Sequence, residues 1–111
     1  MTDRYPIFTT WMRKEGFTPE HKFLKDRKFR FDWANVDRRI AVECDGGLWQ
    51  KGGGRHNRPT GFLRDAEKMN LAVLAGWAVL RITPDMIQKG TAHQLVERAL
   101  IHMRRCDEQR H

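Results

Sequence analysis

Two alternating stretches, separated by a short turn, constrain the fold more than any other feature of this 111-residue chain. In "KFRFDWA" (28–34) apolar side chains fall on every second residue, and "RIAVECD" (39–45) repeats the same period. A period of two is typical of a β-strand with one face on a hydrophobic core. The four residues between them are too few for a crossover connection, so the sequence predicts an antiparallel pair.

The first third of the chain predicts a helix and a further strand before this pair. Pro6 suits the first turn of a helix, and Gly16 suits its end. A short strand is expected over residues 20–24, which would extend the pair to a three-stranded meander. The apolar stripe of the helix is predicted to comprise Ile7, Phe8, Trp11 and Met12.

The second half predicts a loop over 46–59, with five glycines and a proline, then a helix over 60–76. A strand over 77–83 looks apolar enough to be buried on both faces, and a single turn leads to a last helix over 91–105. The stripe of the first of these helices is predicted as Phe62, Ala66, Met69 and Val73. The last helix is expected to open on a capping box of Thr91 and Gln94, with an apolar side of Leu95, Val96, Ala99, Leu100 and Met103.

These elements predict an α/β fold, a mixed four-stranded sheet with flanking helices in the order α-β-β-β-α-β-α. No linker divides the chain, so we expect one domain over residues 1–111.

Acidic side chains occupy the face of the paired strands that the apolar side chains leave free. Because the apolar residues of both strands must share one side of the sheet, Asp32, Glu43 and Asp45 are expected together on the other. The natural register sets Asp32 opposite Glu43, about 4.5–5.5 Å apart at Cβ. The apolar set comprises Phe29, Phe31 and Trp33 of one strand and Ile40, Val42 and Cys44 of the next.

Two interpretations of these acids stay open at this point. They are solvated residues paired with Arg30 or Arg39, or they hold a hard divalent cation, which relieves the repulsion between neighbouring carboxylates. The glycines that follow at 46 and 47 would let a ligand approach closely, which favours a site.

The overall charge favours a polyanionic partner. The formal net charge is +7 and the sequence pI is about 10.0, so nucleic acid is the first candidate and a membrane surface the second. No apolar run reaches the length of a bilayer crossing, the N-terminus lacks the apolar core of a signal peptide, and Cys44 and Cys106 have no metal or redox spacing. We therefore expect a cytoplasmic protein with free thiols and no membrane partner.

Three blocks of sequence, in order, carry a family resemblance: "FRFDWANVDRRIAVECDGGLW", "GRHNRPTGFLRDAEKMN" and "GWAVLRITPDMI". They resemble the PD-(D/E)XK nuclease superfamily, and within it small endonuclease-like proteins of phages and prophages. These proteins are distant relatives of the very-short-patch-repair and Holliday-junction-resolving nucleases. The likeness covers roughly residues 17 to 90 and implies a restriction-endonuclease-like core.

The resemblance implies a metal site and its ligands. Asp32 matches the first motif acid and Glu43 the second, and the carbonyl of Cys44 would be a further ligand of Mg²⁺ or Mn²⁺. The chain departs from the pattern at Asp45, where a lysine is usual; Asp45 would be a ligand or act through water. Lys68 is our candidate for the missing positive charge; the alternative is that it lies on an ordinary solvated helix face. Gln50 and Lys51 are weaker candidates for the same role, and Glu20 is a weaker candidate for a further metal ligand.

Basic residues after the sheet predict contacts with nucleic acid. The glycine-rich loop and the start of the following helix would place Lys51, Arg55, His56, Arg58 and Arg64 along a phosphate backbone. His56 would orient water or protonate the leaving oxygen, or simply contact a phosphate. Trp49 would stack on a base or anchor the loop to the core.

The expected function is therefore metal-dependent hydrolysis of phosphodiester bonds in DNA, with branched DNA or nicking as possible preferences and a homodimer as a possible form. The cation would polarise the phosphate and offset the charge of the leaving oxygen. The alternatives are a basic nucleic-acid-binding module without catalysis and a basic scaffold protein.

Overall fold

The computed structural model describes residues 4–45 and 59–103, which form four strands and four helices. The elements are α1 (Pro6–Lys14), β1 (Thr18–Lys22), β2 (Arg30–Asn35), β3 (Ile40–Cys44), α2 (Pro59–Leu74), β4 (Ala78–Ile82), α3 (Pro84–Lys89) and α4 (Thr91–His102). The sheet has the order β1-β2-β3-β4, antiparallel except between β3 and β4, which are parallel. The predicted α/β class, with a mixed four-stranded sheet and flanking helices, is confirmed.

Strand β3 is the centre of the structure. Every one of its residues is buried, because β2 and β4 flank it and helices cover both of its faces. The prediction that β4 is buried on both faces is wrong. β4 is an edge strand, so Leu80 is only half-buried and Arg81 is exposed.

Helices α1, α3 and α4 cover one face of the sheet and α2 covers the other. The first face packs Ile40, Val42 and Trp33 against the helices, including Val96 of α4, which is fully buried. The predicted apolar side of α4 is confirmed. In α1, Phe8 and Met12 are buried as predicted, whereas the expectation for Ile7 is wrong, since that side chain is 88% exposed.

Phe31 departs from the predicted alternation. It packs on the α2 side of the sheet, stacked on Phe23 with ring centroids 4.1 Å apart, while its neighbour two residues on, Trp33, packs against α1 and α4. The interruption falls at Asp32, at the step where the β1–β2 pairing is skipped and where Glu20 of β1 has a left-handed φ of +54°. The strict period of two is therefore broken where the first acid lies.

The orientation of α2 also differs from the prediction. Ala72 is fully buried and Lys68 partly buried, whereas Phe62 and Val73 of the predicted stripe are 67% and 68% exposed. The helix therefore turns small side chains and a lysine toward the sheet and leaves its larger apolar side chains outside.

Smaller differences concern element ends. β1 begins two residues before the predicted strand, and residues 84–89 form a short helix rather than a single turn. The predicted capping box is wrong, because Gly90, with φ of +82°, precedes α4 and the Thr91 hydroxyl donates to the Met86 carbonyl instead. Gly16, with φ of +93°, follows α1 close to the expected end, and its missing Cβ leaves room for the Asn35 amide.

None of the helices within residues 4–45 and 59–103 combines the length and apolarity that a bilayer crossing requires.

Candidate functional site

Asp32 and Glu43 face each other across β2 and β3, as the alternation predicted. The β2–β3 ladder runs from Asn35 opposite Ile40 to Trp33 opposite Val42, and one further step sets Asp32 opposite Glu43. At this step the carboxylates of the two side chains, rather than backbone carbonyls, accept hydrogen bonds from the backbone N–H groups.

Each carboxylate accepts a hydrogen bond from the backbone of the opposite strand. The Asp32 N–H donates to Glu43 Oε2 at 3.0 Å, and the Cys44 N–H donates to Asp32 Oδ2 at 2.8 Å. A carboxylate held by a backbone N–H has a position that the fold itself determines. We call this arrangement of Asp32, Glu43 and the two N–H groups the carboxylate clamp.

The carboxylate clamp lies in a poorly solvated place. Glu43 is only 6% exposed, and Asp32 is partly buried. Burial raises the pKa of the Asp32 carboxyl, and the hydrogen bond from Cys44 opposes this only in part. Burial likewise raises the pKa of the Glu43 carboxyl; Lys68 opposes the rise and the charge of Asp32 adds to it. Without a cation, the pair therefore holds a proton more readily than two solvated acids would.

Lys68 reaches the carboxylate clamp from α2. Its ammonium group forms an ion pair with Glu43 Oε1, and the two side chains are 16% and 8% exposed. The same nitrogen lies 5.8 Å from the centroid of the Phe31 ring. Of the candidates for a positive charge at the site, Lys68 is the one that the described structure brings to an acid of the motif.

Asp45 contacts an arginine that sequence analysis missed. Arg81 Nε and Nη2 donate to the two carboxylate oxygens of Asp45 at 3.0 and 2.8 Å, which raises the pKa of Arg81. Arg81 Nη1 also lies 3.6 Å from Asp65 Oδ2 of α2, and Arg81 is the register partner of Glu43. The signal available in the sequence was one charged residue inside the apolar strand "WAVLRIT".

The expected acids do not all converge. Within residues 4–45 and 59–103, no three His, Cys, Asp or Glu side chains form a group that could hold a metal ion. Asp32 and Glu43 make a pair, and Asp45 is engaged by Arg81. Glu20 is exposed; its carbonyl accepts from Arg30 Nη1 at 3.3 Å, and its charge helps to raise the pKa of Asp32.

The remaining predicted site residues divide between described and undescribed parts of the chain. The Cys44 side chain is buried in the α4-side core, and burial, with the nearby charge of Asp32, raises the pKa of its thiol. Its backbone N–H is the Cys44 group that donates to the site, at Asp32 Oδ2. Arg64 is exposed on α2. The candidates of the glycine-rich loop lie outside the described residues: Trp49, Gln50, Lys51, Arg55, His56 and Arg58.

The donor set of the carboxylate clamp suits a hard divalent cation. Mg²⁺ and Mn²⁺ prefer carboxylate and carbonyl oxygens, and Mg²⁺ is commonly bound through one or two carboxylates. Asp32 and Glu43 lie opposite each other, and the charge of Asp32 helps to raise the pKa of Glu43, so a cation between them would offset this repulsion. Asp32, Glu43 and the carbonyl of Cys44 would hold it.

Comparison with protein-family models, with curated proteins and with solved structures gives no match for this chain. We therefore infer its function from the contacts, burial and charges of its own residues.

Replacing Asp32 by Asn is expected to stabilise the metal-free protein at neutral pH. Because the pKa of Asp32 is raised, the contribution of Asp32 to wild-type stability is fully present below the ordinary value of 3.8 and is lost as the pH rises through the raised pKa. The substituted amide keeps an acceptor for the Cys44 N–H and carries no charge. Urea unfolding of both proteins, across the acidic range and at neutral pH in EDTA, measures the difference.

The stability gain of the Asp32→Asn variant should shrink as the pH approaches about 4. Asp85→Asn is the matched control, since Asp85 is exposed on α3 and pairs with Lys89 on the helix surface. A variant less stable than wild type at neutral pH would contradict the assigned cost of the buried carboxylate pair.

Proposed function

We propose that this protein is a metal-dependent DNA endonuclease built on a restriction-endonuclease-like, PD-(D/E)XK form of the α/β fold. The observation that carries the proposal is the carboxylate clamp, with Lys68 paired to Glu43, inside a chain of net charge +7. Buried like charges are costly, and such a cluster is a candidate for a functional site rather than for stability. The resemblance of the three sequence blocks supports the same class and a cytoplasmic place of action.

The roles divide between holding a cation and stabilising charge. Asp32, Glu43 and the Cys44 carbonyl would hold Mg²⁺ or Mn²⁺. When bound, the cation polarises the phosphate, lowers the pKa of coordinated water and offsets negative charge on the leaving oxygen. The clamp's backbone hydrogen bonds keep both carboxylates in place, so little rearrangement is needed as the cation binds.

Lys68 and Arg81 supply positive charge beside this pair. Lys68 opposes the rise in the pKa of Glu43 and, on the substrate side, would stabilise the charge that builds on the phosphate oxygens. Asp45 aligns Arg81 through two hydrogen bonds. The resemblance allows Asp45 to be a ligand of the cation, but Arg81 would first have to release Asp45. We therefore assign Asp45 the role of positioning Arg81 in the free protein.

A second candidate function is nucleic-acid binding without catalysis. The observation in its favour is the charge balance of the site: Lys68 already neutralises Glu43, and Arg81 already neutralises Asp45. Such a site could remain stable with no cation at all. Binding of DNA without metal-dependent cleavage would favour this candidate.

Asp32→Ala and Glu43→Ala are each expected to lower the rate of DNA cleavage by at least about a hundredfold, because a cation contributes several kcal/mol to stabilising the transition state. Supercoiled plasmid and a four-way junction, incubated with Mg²⁺ or Mn²⁺ and resolved on gels, measure the rate. Glu97→Ala, on the exposed side of α4, is the control and should cleave like wild type. Equal cleavage by wild type and both site variants would overturn the assignment.

We also propose that two copies pair through α2. Phe62 and Val73 lie eleven residues apart on one exposed side of the helix, a spacing of about three turns. Two such helices packed antiparallel about a two-fold axis would set Phe62 of one copy against Val73 of the other. The partly buried Met69 and the small Ala66 lie between them on the same side, so the stripe matches itself in size.

The double variant Phe62→Ser, Val73→Ser is expected to dissociate this dimer at least about a hundredfold more readily. Burial of each apolar side chain stabilises the dimer by about 1.5–3 kcal/mol, and because of the two-fold axis each side chain occurs twice in the interface. Sedimentation velocity over a concentration series measures the equilibrium. Ile7→Ser, at an apolar residue of α1 that is 88% exposed, is the control. A wild type that stays monomeric at high concentration would contradict the α2 interface.

A further inference from the structure

The connection from β1 to β2 concentrates the positive charge of the chain. Residues 22–30, which we call the basic hairpin, contain five basic side chains and one acidic side chain, a net charge of +4 out of the total of +7. The basic residues are Lys22, Lys25, Arg27, Lys28 and Arg30.

Like charges face each other across the basic hairpin. Lys22 lies directly opposite Arg30 in the β1–β2 register, and both are exposed. Like charges directly opposite on neighbouring strands are destabilising. Among the residues that the structure describes, the ammonium groups of Lys22, Lys25 and Lys28 have neither an ion pair nor a hydrogen bond. The protein itself does not compensate this repulsion, so the arrangement favours an external anion.

The basic hairpin is held in place against α2. Arg27 Nη2 lies 2.7 Å from Glu67 Oε2, and its guanidinium group stacks over the Phe29 ring at 4.9 Å from the centroid. Lys28 and Arg64 then line one cavity of about 240 Å³ together with this ion pair, Phe29 and the acid Asp26. The Arg27 pair thus fixes a surface on which Lys28 of the hairpin and Arg64 of α2 lie around a common recess.

The C-terminal end of the basic hairpin and the α2 side of this contact both lie next, along the chain, to residues of the candidate site. Arg30 precedes Asp32 by two residues on β2, a rise of about 7 Å along the strand. Glu67 directly precedes Lys68 on α2. An extended anion bound along the basic hairpin would therefore reach the acid pair within about one nucleotide spacing.

We propose that the basic hairpin binds the phosphodiester backbone of a nucleic acid and directs it toward Asp32 and Glu43. Charges spread along a hairpin suit a chain of regularly spaced phosphates better than a single anion. An anionic membrane is the less suitable partner, because the neighbouring aromatic rings of Phe23 and Phe31 stack inward rather than projecting for insertion. The inference rests on the proposed function in one respect only, namely that a phosphate of the bound backbone lies at Asp32 and Glu43. Binding by the basic hairpin itself requires no cleavage.

The test compares two triple variants of equal charge. Lys22→Gln, Lys25→Gln, Lys28→Gln removes the three unpaired ammonium groups of the basic hairpin. Lys14→Gln, Lys89→Gln, Arg98→Gln removes three charges from α1, α3 and α4, on the opposite face of the sheet from α2. Fluorescence anisotropy with labelled DNA, in EDTA and over a series of salt concentrations, measures the affinity.

The hairpin variant should bind more weakly and lower the slope of log affinity against log salt by about 1 per lysine, so by roughly 3. The control variant should leave the slope close to wild type. The hairpin variant should also unfold at the same temperature as wild type or higher, because the Lys22→Gln change removes the charge that repels Arg30.

Three results would overturn the proposal: an unchanged slope in the hairpin variant, an equal loss in both triple variants, or wild-type binding to phosphatidylserine vesicles but not to DNA. Asp32→Ala separates this proposal from the nuclease. Hairpin-dependent DNA binding that Asp32→Ala retains, with no cleavage by wild type, supports the basic hairpin and defeats the nuclease. Cleavage of DNA by wild type, with full cleavage activity in the hairpin variant, supports the nuclease and defeats the basic hairpin.

Discussion

The exchange of hydrogen bonds between two carboxylates and the backbone of the opposite strand is the interaction on which this structure depends. A ladder of backbone bonds would have left Asp32 and Glu43 as two repelling acids in a poorly solvated place. Instead, each carboxylate accepts from a backbone N–H across the strand pair, and Lys68 supplies a counter-charge. Burial still raises the pKa of both acids, so the repulsion is reduced rather than removed.

The ion pair of Lys68 accounts for how α2 lies on the sheet. With a lysine turned inward, the buried side of the helix carries small residues such as Ala72, which pack close to the small residues Ala34 and Ala41 of the strands. The larger apolar side chains then lie outside, where a second copy can cover them. The other flank of α2 contacts the basic hairpin through Glu67. Helix α2 thus connects the acid pair, the proposed dimer surface and the proposed nucleic-acid surface.

The alternation of β2 and β3 was sufficient to predict the central contact from sequence. A period of two in both strands, with a short turn between them, left one register that buries both apolar sets, and it set Asp32 opposite Glu43. The same rule failed at Phe31 because the acid beside it interrupts the regular strand. It failed on α2 because hydrophobic periodicity assigns the inner side to the largest apolar residues, whereas an ion pair determines the inner side here. Arg81 was missed because its partner, Asp45, becomes its neighbour only through the parallel pairing of β4.

Titration of the metal-free protein with Mn²⁺, followed by calorimetry, tests the central claim most directly. Wild type is expected to bind Mn²⁺ at the carboxylate clamp, and Asp32→Asn and Glu43→Gln should each weaken that binding by at least about tenfold, since each removes an anionic oxygen ligand. Asp85→Asn, at an exposed acid remote from the clamp, should bind like wild type. No heat of binding in wild type, or equal binding in all four proteins, would contradict the account.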